Sequence, residues 1–300
     1  MKLIISLTAL AFLSLKAADA LELAGVNLIG LAADASLLGT AYTEFTSTSC
    51  GGEQTSYPYP DPLELYIAWR ELRFNLVLLS VAWGHIQTGL NGPLNETTLA
   101  GLDNLVDFIT GNGSTVILDI LMNESWGLSA LKWASTMKRA IKAILSQAPS
   151  HRILVAGPYA ATVTTWELRS ALALLPLLET APKGQIIFDL HQHFDIPNGR
   201  TNDCLSWGLF YLPFKTVTET LRGRGATAML TEIGGGPNDA CAKSLGEVLG
   251  FFEQNSDVWI GWTAWSNMYG DQAISPNVSS EYYVLTGVMR KFAPLGVSGM

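Results

Sequence analysis

The chain has 300 residues, 48% of them hydrophobic and 15% charged, with a formal charge of −8 at pH 7. That apolar content fills a sizeable core and argues against disorder, and an acidic balance without clustered Lys and Arg argues against a nucleic-acid partner. An acidic surface with aromatic residues suits a neutral ligand such as a sugar polymer, though acidity also simply keeps a protein soluble.

In chain order, Lys2, the apolar run 3–15 and Ala18-Asp19-Ala20 have the three-part layout of a secretory signal peptide over residues 1–20. No later stretch approaches ~20 uninterrupted apolar residues, so no membrane span is expected. Residues 21–300 fit a single domain, since α/β barrels run ~250 residues as one unit. Predicted strands at 24–30, 74–81, 114–122, 153–157, 186–191, 228–232 and 258–265 are near-continuous apolar runs, as in a parallel sheet buried on both faces. Predicted helices at 62–73, 96–109, 130–147, 166–178, 209–222, 243–254 and 284–292 alternate with them. This alternation, without a Gly-x-Gly-x-x-Gly turn, favours a (β/α)8 barrel over a dinucleotide-binding fold. Residues 32–60 form a long Ser/Thr/Gly/Tyr-rich loop expected at the rim of an active site. Only seven strands are found, and a closed barrel of this kind needs eight.

Catalytic groups of a barrel enzyme cluster where strands end. The predicted strand ends supply Asn27, Trp83 and His85, Asn123 and Glu124, His191 and His193, Glu232, and Trp265. Glu124 and Glu232 each follow a buried apolar strand, a costly place for an acid unless it faces a polar cavity. A carboxylate pair across a barrel mouth is the minimal apparatus of glycoside hydrolysis. A helix N-cap would also explain each acid singly, and position alone leaves both readings open.

The strings Met122-Asn123-Glu124, Phe188-Asp189-Leu190-His191-Gln192-His193, Thr231-Glu232-Ile233-Gly234-Gly235-Gly236 and Gly261-Trp262-Thr263-Ala264-Trp265 occur in this order. With Ala24-Gly25-Val26-Asn27, Tyr59-Pro60-Asp61 and Asn255-Ser256-Asp257-Val258, the set resembles fungal endo-β-1,4-glucanases of glycoside hydrolase family 5 across residues 23–290. The resemblance implies a retaining cellulase with Glu124 as general acid/base and Glu232 as nucleophile, the carboxyls ~5–5.5 Å apart. It further implies that Asn123 bonds the sugar 2-hydroxyl, that His191 helps hold the carboxylates and that Trp265 is a stacking platform. His193, Asn27 and Trp83 complete the expected substrate-binding set. A Cys204–Cys241 disulfide is implied, with Cys50 left over. No metal and no cofactor are implied. The expected substrate is a β-1,4-glucan, and the expected protein is a secreted, extracellular monomer. Sequons at Asn95, Asn112, Asn123 and Asn277 suit the secretory route.

Four departures from the family pattern point towards impaired activity. Leu78 stands where relatives carry an Arg beside the nucleophile, a loss expected to raise the pKa of Glu232. Asp119 is followed by Ile120-Leu121-Met122 and at once by Asn123-Glu124. The end of the third strand, its helix and most of the fourth strand are therefore missing, because a crossover requires a dozen residues or more. A skipped exon or gene-model error explains this more simply than a natural seven-unit barrel. His193 replaces a Tyr, and Ser125 replaces a Pro, creating the sequon at Asn123. The alternatives are a glucan-binding or host-interaction protein without catalysis, or another family 5 activity such as a mannanase or exo-glucanase. The spacing of the histidines matches no metal motif, and no Gly-x-Ser-x-Gly elbow indicates a Ser hydrolase.

Overall fold

The computed structural model describes residues 21–28, 73–82, 86–87, 89, 91–121, 128–195, 203–236, 238–265 and 287–294. Within them the strands are β1 Leu23–Leu28, β2 Leu76–Ala82, β3 Thr115–Leu121, β4 Ile153–Ala156, β5 Ile186–His193, β6 Thr227–Gly234 and β7 Trp259–Trp265. The helices are α1 Glu96–Gly111, α2 Ala130–Gln147, α3 Val163–Trp166, α4 Leu172–Leu174, α5 Trp207–Arg224 and α6 Asp239–Gln254.

All strands belong to one sheet of order β3-β2-β1-β7-β6-β5-β4, and every neighbouring pair is parallel. The first strand pairs with the last, as in a barrel, so the sheet opens between β3 and β4. Among the described residues no bridge joins those two strands. Among the described residues this is a (β/α)8-type barrel short of one unit, and the opening falls where the sequence lacks a crossover. Leu118 and Ile120, on one face of β3, are 46% and 42% exposed. Apolar strand residues are left in solvent on the edge that a further unit would cover.

Local chemistry sets the helix ends. The Asn95 side chain accepts from Thr98 N at 3.3 Å to cap α1, and Glu96 in the first turn suits the helix dipole. Asn238 caps α6 through Cys241 N at 3.0 Å, so this helix begins at Asp239, earlier than the predicted 243. The predicted helix 166–178 is composite: α3 passes through a π turn at Glu167–Ala171 into α4 and a 3₁₀ stretch, Leu175–Thr180. Pro176 has no N–H to continue an α-helical ladder there. Gly225, at φ 61°, ends α5 in the left-handed region. Predicted helix 62–73 lies outside the described residues except for Arg73, and of 284–292 only residues from 287 onward are described.

The core lies between the sheet and α5 and α6. Trp259 stacks on Phe252 at 4.4 Å between centroids, and its indole N–H donates to the Thr218 hydroxyl at 2.8 Å. Trp166 and Trp262 are also buried, and Trp133 and Trp207 pack on the core's edge. These five indoles serve packing, and Trp69 and Trp126 lie outside the described residues. Leu78 is a buried core residue. No helix among the described residues is long and apolar enough to cross a membrane.

Candidate active site

Alternation along β5 places Asp189, His191 and His193 on one face, and all three are half-buried among fully buried neighbours. β6 runs beside it with His191 in register with Glu232, after an irregularity between Leu190 and His191. Both strands extend two residues beyond their predicted ends, because pairing continues to His193 and Gly234.

Glu232 is the centre of the cluster. His191 Nδ1 lies 3.3 Å and His193 Nε2 3.5 Å from the same oxygen, Oε2. The other ring nitrogen of His191 lies 3.7 Å from Asp189 Oδ1, which also accepts a short hydrogen bond from the Thr231 hydroxyl. Ser80 Oγ, on β2, lies 3.1 Å from Asp119 Oδ2 and 3.3 Å from Asn27 Oδ1, and its single hydrogen serves one of them. Polar groups from β1, β2, β3, β5 and β6 thus converge at one end of the sheet.

Charge follows from this geometry. Burial opposes a charged His191, but Glu232, Asp189 and Asp119 raise its pKa to about 9, so it is an imidazolium at neutral pH. Burial also opposes ionisation of Glu232. The His191 charge, and the hydrogen bond and charge of His193, outweigh burial and hold the carboxyl below its ordinary range. The rise expected from Leu78 is therefore corrected: imidazoles on β5 supply the positive charge. Asp119 is pushed up to about 6, by burial first and then by Asp189 and Glu232.

Of the sequence-predicted site residues, the structure brings His191, His193 and Glu232 together and sets buried Asn27 beside Ser80. Trp265 ends β7 in register with Asn27 of β1, and its side chain lies outside the described residues. Asn123, Glu124 and Trp83 lie outside them as well, and with them the separation of the two carboxyls. Sequence reasoning assigned no role to Asp189, Ser80 or Asp119. Asp189 was legible as the third member of an every-second-residue polar run on β5. Ser80 and Asp119 were not, because only cross-strand register joins them.

Cys204 and Cys241 form a disulfide with Cα atoms 5.0 Å apart, tying the segment after β5 to the first turn of α6. Cys50 lies outside the described residues. Among the described residues, no group of three His, Cys, Asp or Glu side chains could hold a metal ion.

A half-buried glutamate between imidazoles, at the end of a parallel barrel sheet, can serve acid–base or nucleophilic chemistry. The comparisons with known proteins identify its class. Residues 121–268 match the family model Cellulase (glycosyl hydrolase family 5). Over that segment the chain is similar to the family 5 cellulase domain of glycoside hydrolases. It is 29% identical over 189 residues to Endoglucanase 1 of Saitozyma flava, covering 61% of this chain and 54% of that protein. It is 24% identical over 289 residues to Endoglucanase EG-II of Hypocrea jecorina, covering 81% and 69%. The fold is similar to the endo-beta-1,4-glucanase Xac0029 of Xanthomonas axonopodis pv. citri, with a TM-score of 0.71 at 22% identity over 91% of this chain and 100% of that one. A structure of XacCel5A in complex with cellopentaose gives the same TM-score, 0.71, at 22% identity over 91% and 99%.

Proposed function

We propose that the protein is a secreted endo-β-1,4-glucanase that cleaves β-1,4-glucan with retention, weakened by its missing βα unit. The observation that carries this reading is Glu232, ionised at a strand end between two imidazoles. A buried carboxylate kept charged is what a nucleophile at an anomeric carbon requires. Glu232 attacks that carbon while Glu124, which follows β3 by three residues in the sequence, protonates the departing glycosidic oxygen. Glu124 then withdraws a proton from the water that hydrolyses the glycosyl-enzyme. His191 orients Glu232, Asn123 binds the 2-hydroxyl, and Trp265, Trp83 and Asn27 line the sugar cleft.

The complex of a similar fold with cellopentaose, and the names of the endoglucanase relatives, support glucan over mannan as substrate. Residues 1–20 are the leader and 21–300 one catalytic domain acting as a monomer. Export to the extracellular space agrees with the disulfide and the sequons. The weakening follows from the opening beside β3, whose end leads directly to Asn123 and Glu124. Among the described residues Glu232 keeps its imidazole partners, whereas Asn123 and Glu124 follow in sequence the strand that borders the opening.

The test is hydrolysis of soluble glucan and mannan side by side, with the anomer first formed from cello-oligosaccharide followed by NMR. Slow glucan cleavage giving the β-anomer first is expected. Preference for mannan, or an α-anomer first, would overturn the reading. Binding of glucan without cleavage would favour the non-catalytic alternative.

A further inference from the structure

We propose that His193 is a positioning residue for Glu232: together with His191 it clamps one carboxylate oxygen, Oε2, and leaves Oε1 for attack. The inference rests on the reading of Glu232 as nucleophile and adds a second imidazole to its control. Both rings make their closest approach to Oε2, at 3.3 and 3.5 Å. They come from alternate residues of a single strand, so the spacing between them is fixed by the backbone. A carboxylate held through one oxygen by two donors cannot rotate without losing both, which fixes the direction of the other oxygen.

Among the described residues, charged groups that act on this carboxylate come from two strands. β5 contributes Asp189, His191 and His193, and β3 contributes Asp119. Arg152 pairs with Glu22, Arg222 with Asp257, Lys215 with Glu219, and Arg169 lies over the Tyr159 ring. Among the described residues, the basic side chains within 4 Å of the Glu232 carboxylate are the two imidazoles. His191 is shared between Glu232 and Asp189, so part of its charge is spent on a second carboxylate. The His193 side chain is only 18% exposed and Glu232 19%, so bulk water screens the pair little.

The test uses His193→Phe and His193→Gln in the full secreted protein. The Glu232 carboxyl midpoint is read by carbon NMR on carboxyl-labelled protein, its resonance assigned by its absence in Glu232→Gln. The pH profile of kcat/KM is measured on an aryl cellobioside whose leaving group needs no protonation. In His193→Phe the midpoint and the acid limb of the profile are expected to rise together by about one pH unit, a tenfold gain in proton affinity. The plateau should fall about a hundredfold as Oε1 loses its direction. In His193→Gln the amide can still donate, so the plateau should recover in part while the midpoint stays raised. An unchanged midpoint and acid limb in either folded variant would overturn the proposal. A midpoint that rises while neither the parent nor any variant hydrolyses the glycoside would uphold the clamp and remove the nucleophile reading instead.

Discussion

The Cys204–Cys241 bond spans a sequence separation of 37 residues, and the loop it closes contains α5, β6 and Glu232 itself. In the chain-entropy model, a closed loop of that length removes about 4 kcal/mol of conformational freedom from the unfolded chain at 25 °C. The native side holds the bond tightly. Cys241 is fully buried, its sulfur accepts from Gly236 N at 3.1 Å, and a Cβ built on Gly235 would meet Cys204 Sγ at 2.8 Å. A Cys204→Ser/Cys241→Ser double variant should therefore lose about 4 kcal/mol, lowering the melting temperature on the order of 10 °C. The assay is thermal and urea denaturation of the variant beside the parent, with the parent repeated in reductant. The reduced parent should follow the variant. A loss below ~1 kcal/mol, with native near-ultraviolet dichroism retained, would refute the reasoning, because the loop would then be constrained without the bond.

Three further outcomes are expected. His191, raised from 6.5 to about 9, contributes stability that is complete below pH 6.5 and is lost as pH rises towards 9. Stability, followed by melting temperatures taken from pH 6 to 9.5, should fall across that window by roughly 3 kcal/mol at most, and His191→Asn should flatten the slope. A Cβ on Gly25 would lie 1.9 Å from the Leu76 carbonyl oxygen, so backbone must move. Gly25→Ala should cost about 3 kcal/mol or prevent folding, read by denaturant titration and yield. Trp259→Ala removes the stack on Phe252 and leaves the buried Thr218 hydroxyl without its indole donor, so a loss of about 3–5 kcal/mol in the same titration is expected.

Much of the barrel was legible because parallel strands buried on both faces leave unbroken apolar runs, and the gap was legible because three residues cannot make a crossover. Helix starts were less so. Trp207 and Asp239 begin helices earlier than the hydrophobic period suggests, the latter through an Asn238 cap. Glu232 and His191 stood out as polar residues at the ends of apolar strands. The source of the charge on Glu232 did not. Leu78 suggested a lost cation, but the compensation depends on two imidazoles reaching one oxygen, and that is set by the register of β5 against β6. Asp119 likewise meets Ser80 only because β2 and β3 pair residue 80 with residue 119.

The central claim is that Glu232 is a working nucleophile in a barrel that lacks one unit. The most direct test is the initial rate of reducing-sugar release from carboxymethyl-cellulose by the folded parent and by Glu232→Gln. Slow release that falls at least about a thousandfold in the variant, with its melting temperature within a few degrees of the parent, is the expected result. Equal release by both proteins would contradict the claim, as would a folded, monodisperse parent that releases none.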